Sequence, residues 1–116
     1  MKVLVLDDEH TVTNLVSQVL RKNNGIIVDA FVNPKIAAGA IQSTKYDVII
    51  TDISMPDISG YEVIDIINEY NPEAKIFIMT GHDLDKVKCD TAYEIIQKPF
   101  CVQTLLEKVK GLNELL

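Results

Sequence analysis

This chain is short of cysteine, of long apolar runs and of positive charge, and each shortage removes a class of protein. Cys89 and Cys101 are its only cysteines. Two isolated thiols, with no second Cys or His at ligand spacing, exclude a disulfide framework and a zinc signature, and both are expected to be free thiols in a reducing compartment. No apolar stretch is long enough to span a bilayer, and the start, Met-Lys-Val-Leu-Val-Leu-Asp-Asp, closes its short apolar run with acid, unlike a secretory signal. A cytoplasmic protein with no membrane contact is expected. Against 17 acidic side chains stand only 11 basic ones, a formal net charge of -6. A nonspecific electrostatic hold on nucleic acid or an anionic membrane is therefore disfavoured, and cations or basic patches are the expected partners. Linkers, repeats and low-complexity segments are missing too, so residues 1–116 are expected to form a single domain around one core.

What is present is a regular alternation. Five short β-rich runs occur in order, Lys2 to Leu6, Gly25 to Phe31, Asp47 to Thr51, Lys75 to Met79 and Glu94 to Gln97. Val3-Leu4-Val5-Leu6, Val48-Ile49-Ile50 and Ile76-Phe77-Ile78-Met79 are continuously apolar, the pattern of strands covered on both faces. Between them the apolar spacing becomes helical. Val12, Leu15, Val16, Val19 and Leu20 predict one buried stripe, and Ile36, Ala37, Ala40 and Ile41 a second, opened by Asn33 as N-cap and Pro34 at the first helical position. A third helix, about Gly60 to Tyr70, buries Val63, Ile64 and Ile67 and is stopped by Asn71-Pro72. The last runs from about Cys101, with Val102, Leu105, Leu106, Val109 and Leu112 inward. Asp83 to Thr91 offers the core only Leu84 and Val87, which predicts a short, loosely held helix. Strict alternation of this kind predicts an α/β fold with a five-stranded parallel sheet and helices on both faces.

In such a sheet, ligands bind beyond the carboxyl ends of the strands. The first strand ends in Asp7-Asp8-Glu9, the third in Asp52, the fourth in Thr80-Gly81 and the fifth in Lys98-Pro99. The first turn holds three carboxylates and no glycine, so it would repel a bare phosphate. Carboxylates around a small opening suit Mg²⁺, a hard cation that takes oxygen ligands and keeps waters for a phosphate. Asp52 could then attack phosphorus to give an acyl phosphate, with Lys98 as a mobile positive charge and Thr80 as a hydroxyl donor. Taken singly, each feature has a plainer reading: a solvated acidic loop, a turn residue, a surface lysine. His10 and His82 are read as exposed loop or helix-start residues, and Met55 and Cys101 as packing or surface.

Together, the pair Asp7-Asp8, then Asp52 leading into Asp-Ile-Ser-Met-Pro-Asp-Ile-Ser-Gly, then Met-Thr-Gly, then Gln-Lys-Pro-Phe make the whole chain resemble the receiver domains of two-component response regulators. The resemblance implies a flavodoxin-like sheet in strand order 2-1-3-4-5. It implies Asp52 as phosphoacceptor, Mg²⁺ (or Mn²⁺) held by Asp8 and Asp52 directly, by Asp7 through water and by the backbone carbonyl of Ser54, and Thr80 and Lys98 on the phosphoryl group. It also implies a cis Lys98-Pro99 bond, and Ser54 and His82 placed to tune the lifetime of the phosphoryl group. The expected donor is a phosphohistidine on a sensor histidine kinase or phosphotransfer protein. The output partner is open, a phosphorylation-dependent dimer is allowed, and no enzymatic turnover beyond self-phosphorylation and self-dephosphorylation is expected.

Two positions depart from the family pattern. Ile95 stands where receivers carry Tyr or Phe, with Tyr93 two residues earlier on the same strand face. The stretch from Thr80 to Lys98 is also shorter than usual. A phosphorylation-independent interaction module would keep the shape without the chemistry, and the complete acidic set argues against it. An aspartate-nucleophile phosphatase of the haloacid dehalogenase type would carry a second Asp where this chain has Ser54.

Overall fold

A computed structural model of the chain describes residues 1–53, 60–81, 94–98 and 101–115. Its elements run β1 (Lys2–Leu6), α1 (His10–Arg21), β2 (Ile27–Phe31), α2 (Pro34–Ser43), β3 (Val48–Asp52), α3 (Gly60–Tyr70), β4 (Lys75–Thr80), β5 (Glu94–Gln97) and α4 (Val102–Leu115). The five strands are parallel and lie in the order β2-β1-β3-β4-β5. The helix expected from Asp83 to Thr91, together with Ser54, Met55, His82, Cys89, Tyr93 and the Lys98-Pro99 bond, lies outside the described residues.

Because neighbouring side chains on a strand point to opposite faces, the continuous apolar runs feed two separate cores. Val3, Val5, Val48, Ile50, Phe77 and Met79 pack with Val16 and Leu20 of α1 and Leu105, Leu106 and Val109 of α4. Leu4, Leu6, Ile49, Ile76 and Ile78 pack on the other face with Ala37 and Ile41 of α2 and Val63, Ile64 and Ile67 of α3. Burying one such aliphatic side chain stabilises the fold by about 1.5–3 kcal/mol, so both layers are needed to hold the sheet.

The helix boundaries follow local chemistry. Asn33 Oδ1 accepts from the N–H groups of Lys35 (2.9 Å) and Ile36 (3.4 Å), and Pro34 takes the first helical position, as its fixed φ favours. Gly25, with φ of 85°, turns the chain ahead of β2, so that strand begins at Ile27 rather than at Gly25. β3 and β4 each run one residue further than the apolar pattern suggested, which makes Asp52 and Thr80 the terminal residues of their strands. Two residues assigned to buried stripes are exposed instead: Leu15 is 50% and Ile36 60% accessible. Each sits at the margin of its helix's apolar arc, and the core contacts fall to Val16 and Leu20 and to Ala37 and Ile41.

At the amino end of the sheet, Asn71 does more than stop α3. Its amide donates to the carbonyls of Ile41 (2.7 Å) and Thr44 (3.0 Å), and its oxygen accepts from the Tyr46 N–H (2.8 Å). One buried side chain thus ties the ends of α2 and α3 to the entry of β3.

Candidate functional site

The sheet order places the carboxyl ends of β1 and β3 side by side, and Leu6 pairs with Thr51 as the last rung between them. The next residues, Asp7 and Asp52, therefore emerge together. Asp7 is wholly buried and Asp52 is 6% accessible, whereas Asp8 is exposed. Carboxylate oxygens of Asp7, Asp8 and Asp52 all lie within 4.8 Å of one another, forming a group able to hold a metal ion. The donors are all carboxylate oxygens, the hard ligand type that suits Mg²⁺ and disfavours thiophilic metals.

Lys98 follows β5, whose end is aligned by the Lys98 N–H donating to the Thr80 carbonyl (2.7 Å). Its ammonium spans the acids, donating to Asp7 Oδ2 at 2.7 Å and Asp52 Oδ2 at 2.9 Å, with Glu9 Oε1 at 3.6 Å. Three acids thus share one cation. Desolvation opposes charge on Lys98, but its hydrogen bonds to Asp7 and Asp52 outweigh that and hold its pKa above the ordinary lysine value. Asp7 experiences the reverse balance. Burial raises its pKa above the ordinary carboxylate value, aided by the neighbouring Asp52 charge, although Lys98 and the Glu9 N–H pull it down. One lysine shared among several acids satisfies itself before it satisfies each of them.

The backbone around the acids is also fixed. Asp7 Oδ1 accepts from the Glu9 N–H (2.9 Å), and the Asp7 N–H donates to the Phe31 carbonyl (3.2 Å). The Thr13 hydroxyl lies 2.8 Å from the Glu9 carbonyl and 3.3 Å from that of Asp7, and the Thr51 hydroxyl donates to the Asp52 carbonyl at 2.9 Å. Thr80, fully buried, ends β4 beside β5, paired with Gln97.

The structure therefore brings Asp7, Asp8, Asp52 and Lys98 together and sets Thr80 on the adjoining strand end, while Ser54 lies outside the described residues. Sequence reading did not single out Glu9 as a third partner of Lys98, nor Thr13 and Thr51. Glu9 was visible as part of the acidic turn, but Thr13 and Thr51 sit inside helical and strand patterns where a hydroxyl carries no periodic signal. His10 is exposed at the start of α1, as expected, and Cys101 is an exposed free thiol just ahead of α4. Contacts with the Thr104 and Gln103 groups hold the Cys101 thiol below its ordinary pKa. No helix among the described residues is long and apolar enough to cross a membrane.

Comparison with known proteins agrees with this geometry. Residues 3–110 match the family model of the response regulator receiver domain. The chain is 34% identical over 114 residues to the regulatory protein VanR of Enterococcus faecium, covering 95% of this chain and 48% of that protein. It is 30% identical over 112 residues to the DNA-binding transcriptional regulator NtrC of Proteus hauseri, covering 93% of this chain and 24% of the relative. The chain thus spans about half or less of these relatives' lengths. Among solved structures, the response regulator TrrA of Thermotoga maritima, in complex with Mg²⁺-BeF, superposes with a TM-score of 0.82 at 34% identity, covering 96% of this chain and 97% of that one. The chain belongs to the family of response regulator receiver domains.

Proposed function

We propose that this domain is a phosphorylation-dependent switch in which Asp52 accepts a phosphoryl group from a phosphohistidine on a sensor histidine kinase or phosphotransfer protein. The observation that carries this reading is the convergence of Asp7, Asp8 and Asp52 around a lysine that already bridges two of them. An Asp52 carboxylate oxygen attacks phosphorus, the P–N bond to the donor histidine breaks, and an acyl phosphate remains on Asp52. Mg²⁺ held by Asp7, Asp8, Asp52 and the Ser54 carbonyl would offset charge repulsion between the carboxylate and the phosphoryl oxygens. Lys98 and Thr80 then serve the phosphoryl oxygens, Lys98 leaving its present place between two carboxylates.

The new charge of about -1.5 to -2 at Asp52 shifts the balance of this crowded site and biases a partner-binding surface. Since Ile95 pairs with Ile78 where the family carries an aromatic residue, the relay to that surface does not use the usual aromatic rotamer. The domain works in the cytoplasm, performs no turnover of a free substrate, makes no direct nucleic-acid contact of its own and dimerises, if at all, in its phosphorylated form. The family match favours the switch over both a binding-only module and a phosphatase. Intact mass after incubation with Mg²⁺ and acetyl phosphate tests the proposal. One added phosphoryl group, lost in Asp52→Asn, is expected; no adduct and no spectral response to beryllium fluoride would overturn it.

A further inference from the structure

Asp7 and Asp52 share a feature that exposed Asp8 does not show: each is fixed on both sides of its α-carbon. On the amino side the sheet holds them, through the Asp7 N–H on the Phe31 carbonyl and through the pairing of Asp52 with Met79. On the carboxyl side, the carbonyl of each faces a threonine hydroxyl, that of Asp7 the Thr13 hydroxyl of α1 at 3.3 Å and that of Asp52 the hydroxyl of its own strand neighbour Thr51 at 2.9 Å. Both threonines are buried, at 2% and 0% accessibility. Thr51 lies between Leu6 and Ile78 in the sheet register, where a valine would fill the same space. A hydroxyl at such a position is costly unless it is paired, and its partner is the carbonyl of the next residue. That carbonyl belongs to the peptide plane through which the chain leaves Asp52, so the bond restricts one of the two soft dihedrals of that residue.

We propose that Thr51 and, more weakly, Thr13 are positioning residues that hold Asp52 and Asp7 at metal-binding geometry. The proposal rests on the reading of the acidic cluster as a Mg²⁺ site. Thr51 has the larger part because its hydroxyl bond is short and directed at Asp52 itself. Thr13 has one hydroxyl proton for two carbonyls, and the Glu9 carbonyl at 2.8 Å, a common backbone bond for a helical threonine, takes the greater share. Partners that orient metal ligands typically contribute about tenfold or more in affinity.

Titration of the full chain with Mg²⁺, followed by amide NMR shifts, provides the test. Thr51→Val is expected to weaken Mg²⁺ about tenfold and Thr13→Val less, while Thr51→Ser keeps wild-type affinity. Equal affinity in Thr51→Val and wild type, or equal loss in the serine and valine variants, overturns the proposal, the latter because packing rather than the hydroxyl would then be responsible. Should Thr51→Val not fold, Thr51→Ala against Thr51→Ser decides: loss only in alanine supports the role, equal affinities refute it. Acetyl phosphate labelling of the wild-type chain keeps the two readings apart, since a labelled wild type with an unaffected Thr51→Val removes only the positioning role.

Discussion

The two ends of the sheet treat buried polar groups in opposite ways. At the amino end, Asn71 matches two donated and one accepted hydrogen bond to neutral backbone groups, and the Tyr46 hydroxyl donates to Asp29 at 2.7 Å with Lys2 Nζ 3.9 Å from the same carboxylate. Donors meet acceptors there: Asp29 has a cation beside it, and Asp47 Oδ2 accepts from the Lys2 N–H at 2.8 Å. At the carboxyl end hydrogen bonds are satisfied as well, since no buried side-chain polar atom among the described residues lacks a partner, but charge is not. Among the described residues, Lys98 is the only cation paired with Asp7, Glu9 and Asp52, and the Asp8 carboxylate adjoins those of Asp7 and Asp52. Carboxylates gathered this closely destabilise the folded state unless a cation joins them. The matched end therefore serves stability, and the mismatched end gathers carboxylates that could hold a metal ion.

Substitutions can break or sharpen that contrast. The largest effect is expected at Asp52→Asn, which abolishes phosphoryl labelling by acetyl phosphate while leaving the fold intact by circular dichroism. Next comes Asn71→Ala at the opposite end, which strands the Tyr46 N–H and the carbonyls of Ile41 and Thr44; urea denaturation should show a loss of about 3 kcal/mol, with Mg²⁺ affinity unchanged. If Asn71→Ala lowered Mg²⁺ affinity instead, the two ends would not be independent.

A subtler effect concerns pH. The Asp7 pKa is raised in the folded state, so its contribution favours folding below the ordinary carboxylate value and is lost as pH rises through the raised value. Without Mg²⁺, melting temperature should therefore fall across that window in wild type more than in Asp7→Asn. At neutral pH Asp7→Asn should be the more stable protein and the less responsive to added Mg²⁺. An unchanged pH profile in Asp7→Asn would show that Asp7 carries no such strain. The smallest effect is expected for Tyr46→Phe, a loss of about 1 kcal/mol with no change in labelling, because only one hydrogen bond to a partly exposed carboxylate is removed.

Most of the fold was legible in residue order. Continuous apolar runs alternating with helical spacing predicted the five strands and the four described helices, and Asn33-Pro34 marked the start of α2 where the cap is found. Leu15 and Ile36 fall outside the core although their spacing fits the stripe, because periodicity defines the centre of a helix's buried arc better than its margins. Asn71 was legible only as a stop signal, since its partners, 25 to 30 positions away, are chosen by how α2, α3 and β3 pack. Thr13 and Thr51 left no trace, because their roles depend on which carbonyl faces the hydroxyl.

The candidate site divides along the same line. The amino-acid order by itself determined that acids close the first and third strands and that a threonine and a lysine follow the fourth and fifth, because strand ends are local features of apolar patterning. Only the tertiary structure decided that Asp7 is buried while its neighbour Asp8 is exposed. It alone decided that Lys98 reaches across 91 and 46 positions to bridge Asp7 and Asp52. Those outcomes depend on strand order and side-chain reach, and they leave one lysine shared among three carboxylates at this end of the sheet.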